Sequence, residues 1–205
     1  METVWFIGLA LAAFLLGACP FSVWIADLAL HRNIRTVGDG NPGPTNVFKA
    51  GGKFWGVVVL MADILKGVPF VLAARLLGLI TPIPYIVAIC AILGHAYSPF
   101  LGLRGGKALS VAAGTLIGLA HWEIILMLAI LYFIGFLLFY NDSWTVMIGT
   151  VTTLVILILL RVDMWEILFM CCVTLIFFIK QAHDLTMGPH YPGRLVSWLR
   201  SRKGV

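Results

Sequence analysis

The sequence predicts an all-α, polytopic integral membrane protein, on the evidence of its composition, its long apolar segments and the placement of its charges. Of the 205 residues, 61% are hydrophobic and only 11% are charged, whereas about 25% of the residues in a soluble globular domain are charged. So few charges cannot cover a water-exposed surface. The composition therefore excludes a soluble domain, a disordered chain and a collagen-like fibre.

Seven apolar segments approach the roughly 20 residues that a membrane-spanning helix needs. They are residues 4–29, 54–80, 83–101, 107–121, 123–140, 144–160 and 165–180. The third and fourth segments can be read in two ways, because 107–121 is short and Pro99 and Gly102 interrupt the pattern before it. Two spanning helices and a re-entrant pair are both compatible with this pattern. Since no repeat or linker divides the chain, we predict one transmembrane domain over residues 1–205.

The basic residues fall mainly on one side of these segments. When the N-terminus is placed outside, eleven of the fourteen Lys and Arg residues lie on the inner side: Arg32, Arg35, Lys49, Lys53, Arg104, Lys107, Lys180, Arg194, Arg200, Arg202 and Lys203. Only Arg75 and Arg161 lie outside, and Lys66 lies within the second segment. Because cytoplasmic loops are enriched in Lys and Arg, we predict an external N-terminus and a cytoplasmic C-terminus. This orientation explains the net charge of +5 better than nucleic-acid binding does.

The cysteines indicate neither a metal site nor a disulfide framework. All of them lie in apolar stretches, and none shows a Cys-x-x-Cys or Cys/His ligand spacing: Cys19, Cys90, Cys171 and Cys172. We expect buried free thiols, and we predict no metal and no cofactor.

The loop after the first segment is rich in glycine and polar residues. Residues 35–46 read Arg-Thr-Val-Gly-Asp-Gly-Asn-Pro-Gly-Pro-Thr-Asn, a composition that cannot continue a helix. Glycines let backbone N–H groups converge on an anion, and Arg35 adds a planar, permanently charged group. The loop is therefore either a turn-rich connector or an anion site. In the second case the candidate ligands are Arg35, Gly38, Gly40, Asn41, Gly43, Thr45 and Asn46.

A second loop, residues 94–107, ends in Arg-Gly-Gly-Lys before a segment rich in small residues. The N-terminus of a helix favours an anion through its free N–H groups and its dipole, although this glycine spacing is not that of a Walker A motif. His95 is either a general base, a donor to a phosphoryl oxygen, or a structural hydrogen-bonding residue. The other candidates here are Ser98, Arg104, Gly105, Gly106 and Lys107.

Two opposite charges lie inside the second apolar segment, at Asp63 and Lys66. Their i, i+3 spacing places them on one helix face, where they can pair. Ionisable groups within a membrane helix usually face each other or a polar cavity, so the pair is either a packing element or part of a site. With the two basic loops, it predicts a site for a phosphate-bearing compound at the cytoplasmic interface, open to lipid chains.

These motifs resemble those of the PlsY family, the bacterial membrane glycerol-3-phosphate acyltransferases that use acyl phosphate as donor. The family motif R-x-x-G-S-G-N-x-G-A-T-N corresponds to residues 35–46, and D-x-x-K-G corresponds to residues 63–67. The family's G-H and K-G-G-K-G correspond to residues 94–95 and 104–108. The resemblance covers roughly the first 115 residues and continues more weakly to about residue 185.

The chain departs from the family pattern at four motif positions. Asp39 replaces a serine, Pro44 an alanine, Arg104 a lysine and Ala108 a glycine. The C-terminal family motif is poorly kept over residues 180–188, where its Asn, Arg and Glu have no clear counterparts. We nevertheless place three residues of this half in the substrate-binding set: Ser143, Lys180 and His183.

The resemblance implies transfer of an acyl chain from acyl phosphate to the sn-1 hydroxyl of glycerol 3-phosphate, giving lysophosphatidic acid and phosphate. It implies catalytic roles for Arg35, His95 and Lys107, and a location in the bacterial inner membrane with membrane lipids and small phosphate substrates as partners. No Ser-His-Asp set is evident, and Phe100 occupies the acidic position of an H-x4-D motif. A covalent acyl-enzyme is therefore not expected. The hydroxyl proton goes either to His95 or to a phosphoryl oxygen.

One alternative function comes from a different class. The altered C-terminal motif and Asp39 favour a divergent homologue that binds or translocates a phosphorylated lipid without acyl transfer. The retained polar residues of both loops favour the acyltransferase.

Overall fold

The computed structural model describes residues 2–189 and Arg194, and the regular structure in this part of the chain is entirely helical. This confirms the predicted all-α class. The ten α-helices are α1 (Glu2–Ala18), α2 (Phe21–Leu30), α3 (Pro44–Lys49), α4 (Lys53–Leu65), α5 (Pro69–Leu76), α6 (Ile83–Ala96), α7 (Leu109–Leu119), α8 (Trp122–Leu138), α9 (Asp142–Leu160) and α10 (Met164–Leu185). Short 3-10 turns cover Ile34–Thr36 and Pro99–Leu101. Three residues used in the charge argument, Arg200, Arg202 and Lys203, lie outside the described part.

Several of these helices are apolar and long enough to cross a bilayer. Five stretches qualify by length and composition: Thr3–Leu30, Lys53–Leu76, Ile83–Leu101, Asp142–Leu160 and Met164–Leu185. Two shorter apolar helices, α7 and α8, lie between the third and fourth of them. At 1.5 Å per residue α7 is about 16 Å long, roughly half the thickness of the hydrocarbon core. The positions of these seven apolar regions match the predicted segments, and the chain is a multi-pass membrane protein.

Three of the predicted segments are not continuous helices. The first breaks at Pro20 and the second over residues 66–68, immediately before Pro69. The third, residues 83–101, breaks at residues 97–98, between α6 and the 3-10 turn Pro99–Leu101. Proline has no backbone N–H, and its ring clashes with the preceding turn, so a helix ends close to it. Each break lies beside groups of the candidate site.

The chain divides into two compact units, residues 1–121 and residues 122–205. Each unit has its own dense set of internal contacts. The single domain over residues 1–205 stays a prediction.

In the first unit, α1 packs closely against α6. A Cβ at Gly17 would overlap the carbonyl oxygen of Ala91, and one at Gly94 would overlap the carbonyl oxygen of Phe14. Small residues of this kind let two membrane helices approach backbone to backbone. The close fit fixes the C-terminal end of α6, where His95 lies.

A small apolar cluster in the same unit anchors the first glycine-rich loop. Ala26 of α2, Ile34, Val47 of α3 and Val59 of α4 are fully buried against one another. Because these residues precede and follow residues 35–46 in the chain, both ends of the loop are anchored in the apolar cluster.

In the second unit, α9 packs against both α8 and α10. Two of its buried hydroxyls donate to carbonyls of their own helix: Thr150 to Val146 at 2.7 Å, and Thr153 to Gly149 at 2.9 Å. The Thr150 hydroxyl also lies 2.7 Å from the Tyr132 hydroxyl of α8. These two hydroxyls therefore find acceptors one turn away, without a break in the helix.

The prediction of buried cysteines is wrong, although all four are free thiols. Cys171 and Cys172 are exposed on α10, while Cys19 and Cys90 are half-buried. Apolar residues need not be buried within a membrane protein, because lipid tails are as apolar as a protein interior.

Candidate active site

The break at Pro20 supplies backbone acceptors to two polar side chains from distant parts of the first unit. Ser98 Oγ donates to the carbonyl of Ala18 at 2.6 Å, and Lys66 Nζ donates to the carbonyl of Cys19 at 2.9 Å. Carbonyls at the end of a helix have no intrahelical partner. The interrupted first segment therefore holds Lys66 and Ser98 at one point.

Lys66 and Asp63 form a buried ion pair, as their spacing predicts. Lys66 Nζ lies 2.8 Å from Asp63 Oδ1, and the two side chains are 2% and 1% exposed. Lys66 Nζ also lies 5.5 Å from the centroid of the Phe21 ring. Since an unpaired charge in this environment would be very costly, each member stabilises the charged form of the other.

His95 lies beside this pair, with Nδ1 3.9 Å from Asp63 Oδ1. Its side chain is 10% exposed, at the end of α6. The Asp63 carboxylate lies on the Nδ1 side of the imidazole and can orient the ring, while Lys66 pairs with the same carboxylate. Asp63 thus connects Lys66 with His95.

The second glycine-rich loop lies directly on His95. The N–H of Gly106 donates to the carbonyl of His95 at 3.1 Å. A Cβ at Gly105 would overlap that carbonyl oxygen, and one at Gly106 would overlap Nε2 of the imidazole. Only glycine permits this contact, so the two glycines set the distance between the loop and the imidazole.

The two glycine-rich loops are joined through Asp39. Its Oδ2 lies 2.8 Å from Lys107 Nζ, and its Oδ1 accepts from Asn46 Nδ2 at 2.7 Å and from the N–H of Asn41 at 3.2 Å. Asn46 Nδ2 also donates to the carbonyl of Asn41 at 2.9 Å. Gly40, with φ of +71°, provides the left-handed turn that brings Asn41 back toward Asp39.

Burial by itself would raise the pKa of Asp39. The ion pair and hydrogen bond with Lys107, together with the donors of Asn46 and Asn41, outweigh that effect and lower the pKa below its ordinary value. The carboxyl is therefore ionised at neutral pH.

A small cavity lies where these elements meet. Gly106 and Pro42 contribute to its wall from the two glycine-rich loops. Its polar side chains come from separate elements of the first unit: Ser22, Asp63, Lys66, His95 and Ser98. The sequence predicts one cationic pocket containing Arg35, Lys66, His95 and Lys107. Lys66 and His95 line this cavity, whereas Arg35 and Lys107 are not among its lining residues.

The other candidates of the two loops lie at different depths. Asn46 is buried, and Arg35 and Asn41 are half-buried. Thr45 and Arg104 are exposed. Gly38 has a φ of +60°, and a Cβ there would overlap Asn46 Oδ1, while Gly43 precedes α3 as its N-cap.

Three candidates lie in the second unit. Ser143 is buried and its Oγ donates to Asp184 Oδ2 at 3.2 Å. His183 is 85% exposed, with Nδ1 3.8 Å from Asp184 Oδ1, and Lys180 is half-buried on α10. Asn141 Nδ2 joins the start of α9 to the end of α10 by donating to the carbonyls of Asp184 and Gly188.

Sequence reasoning missed the contribution of the first segment. Ser22 lines the cavity, and the carbonyls of Ala18 and Cys19 bind Ser98 and Lys66. The available signal was Pro20, because a proline within an apolar run marks a helix break and therefore unsatisfied carbonyls.

Comparisons with known proteins agree on one family. Residues 7–187 match the family model described as glycerol-3-phosphate acyltransferase. A glycerol-3-phosphate acyltransferase of Streptococcus thermophilus is 34% identical over 147 residues, which cover 70% of this chain and 69% of that protein. One of Enterococcus faecalis is 42% identical over 109 residues, which cover 53% of this chain and 50% of that protein.

Two crystal structures have a similar fold. Both are of PlsY (YgiH), an integral membrane glycerol 3-phosphate acyltransferase. Its glycerol 3-phosphate form has a TM-score of 0.81 and 27% identity, covering 94% of this chain and 98% of that one. The lysophosphatidic acid form has a TM-score of 0.79 and 25% identity, covering 93% and 96%.

Proposed function

Since the chain belongs to the glycerol-3-phosphate acyltransferase family, we propose that it transfers an acyl chain from acyl phosphate to the sn-1 hydroxyl of glycerol 3-phosphate. The products are lysophosphatidic acid and inorganic phosphate. The observation that supports this best is the cavity in which Lys66, Asp63 and His95 meet the backbone of Gly106.

The reaction needs positioning and charge stabilisation rather than a covalent intermediate. The sn-1 oxygen attacks the acyl carbonyl carbon and forms the ester bond, while the bond from that carbon to the phosphate oxygen breaks. Acyl phosphate is already activated, so holding the two reactants together and balancing the charge on the carbonyl oxygen accounts for most of the acceleration. The hydroxyl proton passes to His95 or to a phosphoryl oxygen, and leaves with the product phosphate in the second case.

We assign the residues roles according to their positions. Lys66 lines the cavity as a fixed cation, and Asp63 holds Lys66 and orients His95 from its Nδ1 side. Lys107 and Arg35, in the two loops, serve the phosphate groups. Charge-assisted hydrogen bonds to phosphate are about twice as strong as neutral ones. The remaining loop glycines and polar residues contribute backbone N–H groups and side-chain donors.

We further propose seven membrane spans, an external N-terminus, and an active site on the cytoplasmic side of a bacterial inner membrane. The bias of Lys and Arg toward one side supports this orientation. A cysteine-free variant carrying Asp39→Cys or Arg200→Cys should resist an impermeant thiol reagent in sealed cells and react after permeabilisation. Ready labelling in sealed cells would overturn the orientation.

The activity is tested with purified protein, a long-chain acyl phosphate and glycerol 3-phosphate, with lysophosphatidic acid measured by mass spectrometry. We expect product that requires both substrates, and no product when an acyl thioester replaces acyl phosphate. A protein that binds glycerol 3-phosphate but forms no lysophosphatidic acid would instead be the non-acyltransferase homologue.

A further inference from the structure

The carboxylate of Asp39 occupies the centre of a set of donors contributed by both glycine-rich loops. It takes the ammonium of Lys107 at 2.8 Å on one oxygen, and the amide of Asn46 at 2.7 Å and the N–H of Asn41 at 3.2 Å on the other. An ammonium, a side-chain amide and a backbone N–H in one place form an anion-binding arrangement. In this chain the anion that fills it is one of its own side chains.

A phosphate group and the Asp39 carboxylate cannot use these donors together. The two anions would lie within a few ångströms of each other, and like charges at that distance repel, the more so where burial lowers the effective dielectric. The Asp39 carboxylate can move away from these donors into solvent, because its side chain is 38% exposed. Displacement therefore returns it to water rather than to an apolar interior.

We propose that Asp39 is a displaceable internal anion that holds Lys107, Asn46 and the Asn41 N–H in the unliganded protein and is exchanged for a substrate phosphate on binding. This inference rests on the proposed function for the identity of the substrate, but not for the identity of the displaced group. Asp39 keeps the two loops together before binding and weakens the affinity for phosphate groups, since each phosphate must first replace it.

The direction in which anion affinity changes when Asp39 is removed distinguishes displacement from a purely structural role. A residue that only stabilises the loops should weaken anion binding when it is removed. Removal of a competing anion should instead strengthen it. Much of the expected gain depends on Lys107, because this ammonium is the charged member of the donor set for which the carboxylate and the phosphate compete.

The test measures the Kd of inorganic phosphate and of glycerol 3-phosphate by calorimetry, on the wild-type protein and on Asp39→Ser and Asp39→Asn variants. We expect both variants to bind both probes about tenfold more tightly, and the KM for glycerol 3-phosphate to fall. Asp27→Asn removes an exposed carboxylate from α2 of the same unit, and should leave every constant unchanged. In a Lys107→Ala background, Asp39→Ser should give a clearly smaller gain, because only the donors of Asn46 and Asn41 are then freed.

The outcomes separate this inference from the proposed function. Weaker or unchanged binding in two variants that unfold as cooperatively as the wild type would overturn the displacement by Asp39. So would a gain of undiminished size in the Lys107→Ala background. A wild-type protein without acyltransferase activity would overturn the proposed function alone, because binding of inorganic phosphate still reports the exchange at Asp39.

Discussion

In the first unit the apolar stretches are interrupted at Pro20, at residues 66–68 and at Ser98, whereas α8, α9 and α10 of the second unit run unbroken between short turns. The side chains of Asn141 and Asp163 cap the starts of α9 and α10. Thr150 and Thr153 of α9 donate to carbonyls of their own helix. In the first unit, Lys66 and Ser98 instead donate to carbonyls 47 and 80 positions away, those of Cys19 and Ala18.

The difference shows where a membrane protein can place chemistry. Irregular backbone at membrane depth is tolerated only where protein or water surrounds it. The break at Pro20 in the first unit is covered by protein groups in this way, because its carbonyls accept hydrogen bonds from Lys66 and Ser98. Among the described residues of the second unit, α8, α9 and α10 contain no such break, which is typical of a supporting framework.

The largest expected effect is on stability, and it contrasts one polar group from each unit. Lys66→Met leaves the Asp63 carboxylate buried without its cation, which we expect to destabilise the protein by about 3–5 kcal/mol. Thr153→Val removes a hydroxyl that bonds only within α9, so we expect a loss of about 1 kcal/mol or less. Thermal unfolding in detergent measures both, and equal losses would remove the contrast between the units.

The next effect concerns the role of His95. His95→Ala should lower kcat by about 10²–10⁴-fold if the imidazole accepts the proton, and should mainly raise KM if it only binds phosphate. His95→Gln keeps a hydrogen-bond donor but cannot titrate. Steady-state kinetics of the two variants decide the matter, since near-normal turnover of His95→Gln would assign the proton to a substrate phosphoryl oxygen.

A smaller effect distinguishes the two glycine-rich loops. Gly106→Ala places a methyl group against His95 Nε2, so we expect it to lower kcat and raise KM together. Gly40→Ala strains a left-handed residue in the Asp39 turn, at a cost of roughly 1–2 kcal/mol, and should chiefly raise KM. A Cβ at Gly8 would meet no atom within 4 Å, so Gly8→Ala is the matched control; wild-type kinetics for all three would leave the loops as plain connectors.

The smallest effect is the pH dependence of the Asp39–Lys107 pair. Because the pKa of Asp39 is lowered in the folded protein, the pair stabilises the fold above the unfolded-state pKa and loses this contribution as the pH falls through the folded-state pKa. Wild type should therefore exceed Asp39→Asn in Tm at pH 7 by the equivalent of less than about 1 kcal/mol, since an exposed pair is screened. The gap should close on acidification; a gap that widens would contradict the lowered pKa.

The sequence was sufficient to predict the helical membrane class and the pairing of Asp63 with Lys66, because both follow from local patterns. Hydropathy depends on consecutive residues, and the i, i+3 spacing fixes one helix face. It was also sufficient to recognise Arg-Gly-Gly-Lys as a motif. Its contact with His95 could not be predicted, since it depends on the packing of α6 against residues 105–106.

The partners of Asp39 illustrate the same limit. The departure from serine is visible in the sequence, but the carboxylate is 68 residues away from the lysine that it binds. Such a pair depends on tertiary structure, and hydropathy carries no information about it. Likewise, the bonds of Lys66 and Ser98 to carbonyls near Pro20 join residues separated by 47 and 80 positions.

The central claim is that the cavity between the interrupted helices of the first unit is where glycerol 3-phosphate is acylated. Its most direct test is the kcat/KM of the neutral double variant Asp63→Asn/Lys66→Met, measured on protein whose thermal unfolding matches the wild type. Replacing both members of a buried ion pair by neutral groups is often tolerated by the fold. We predict a loss of at least about a hundredfold, comparable with removal of one preorganised donor. A folded double variant that forms lysophosphatidic acid at the wild-type rate would contradict the claim.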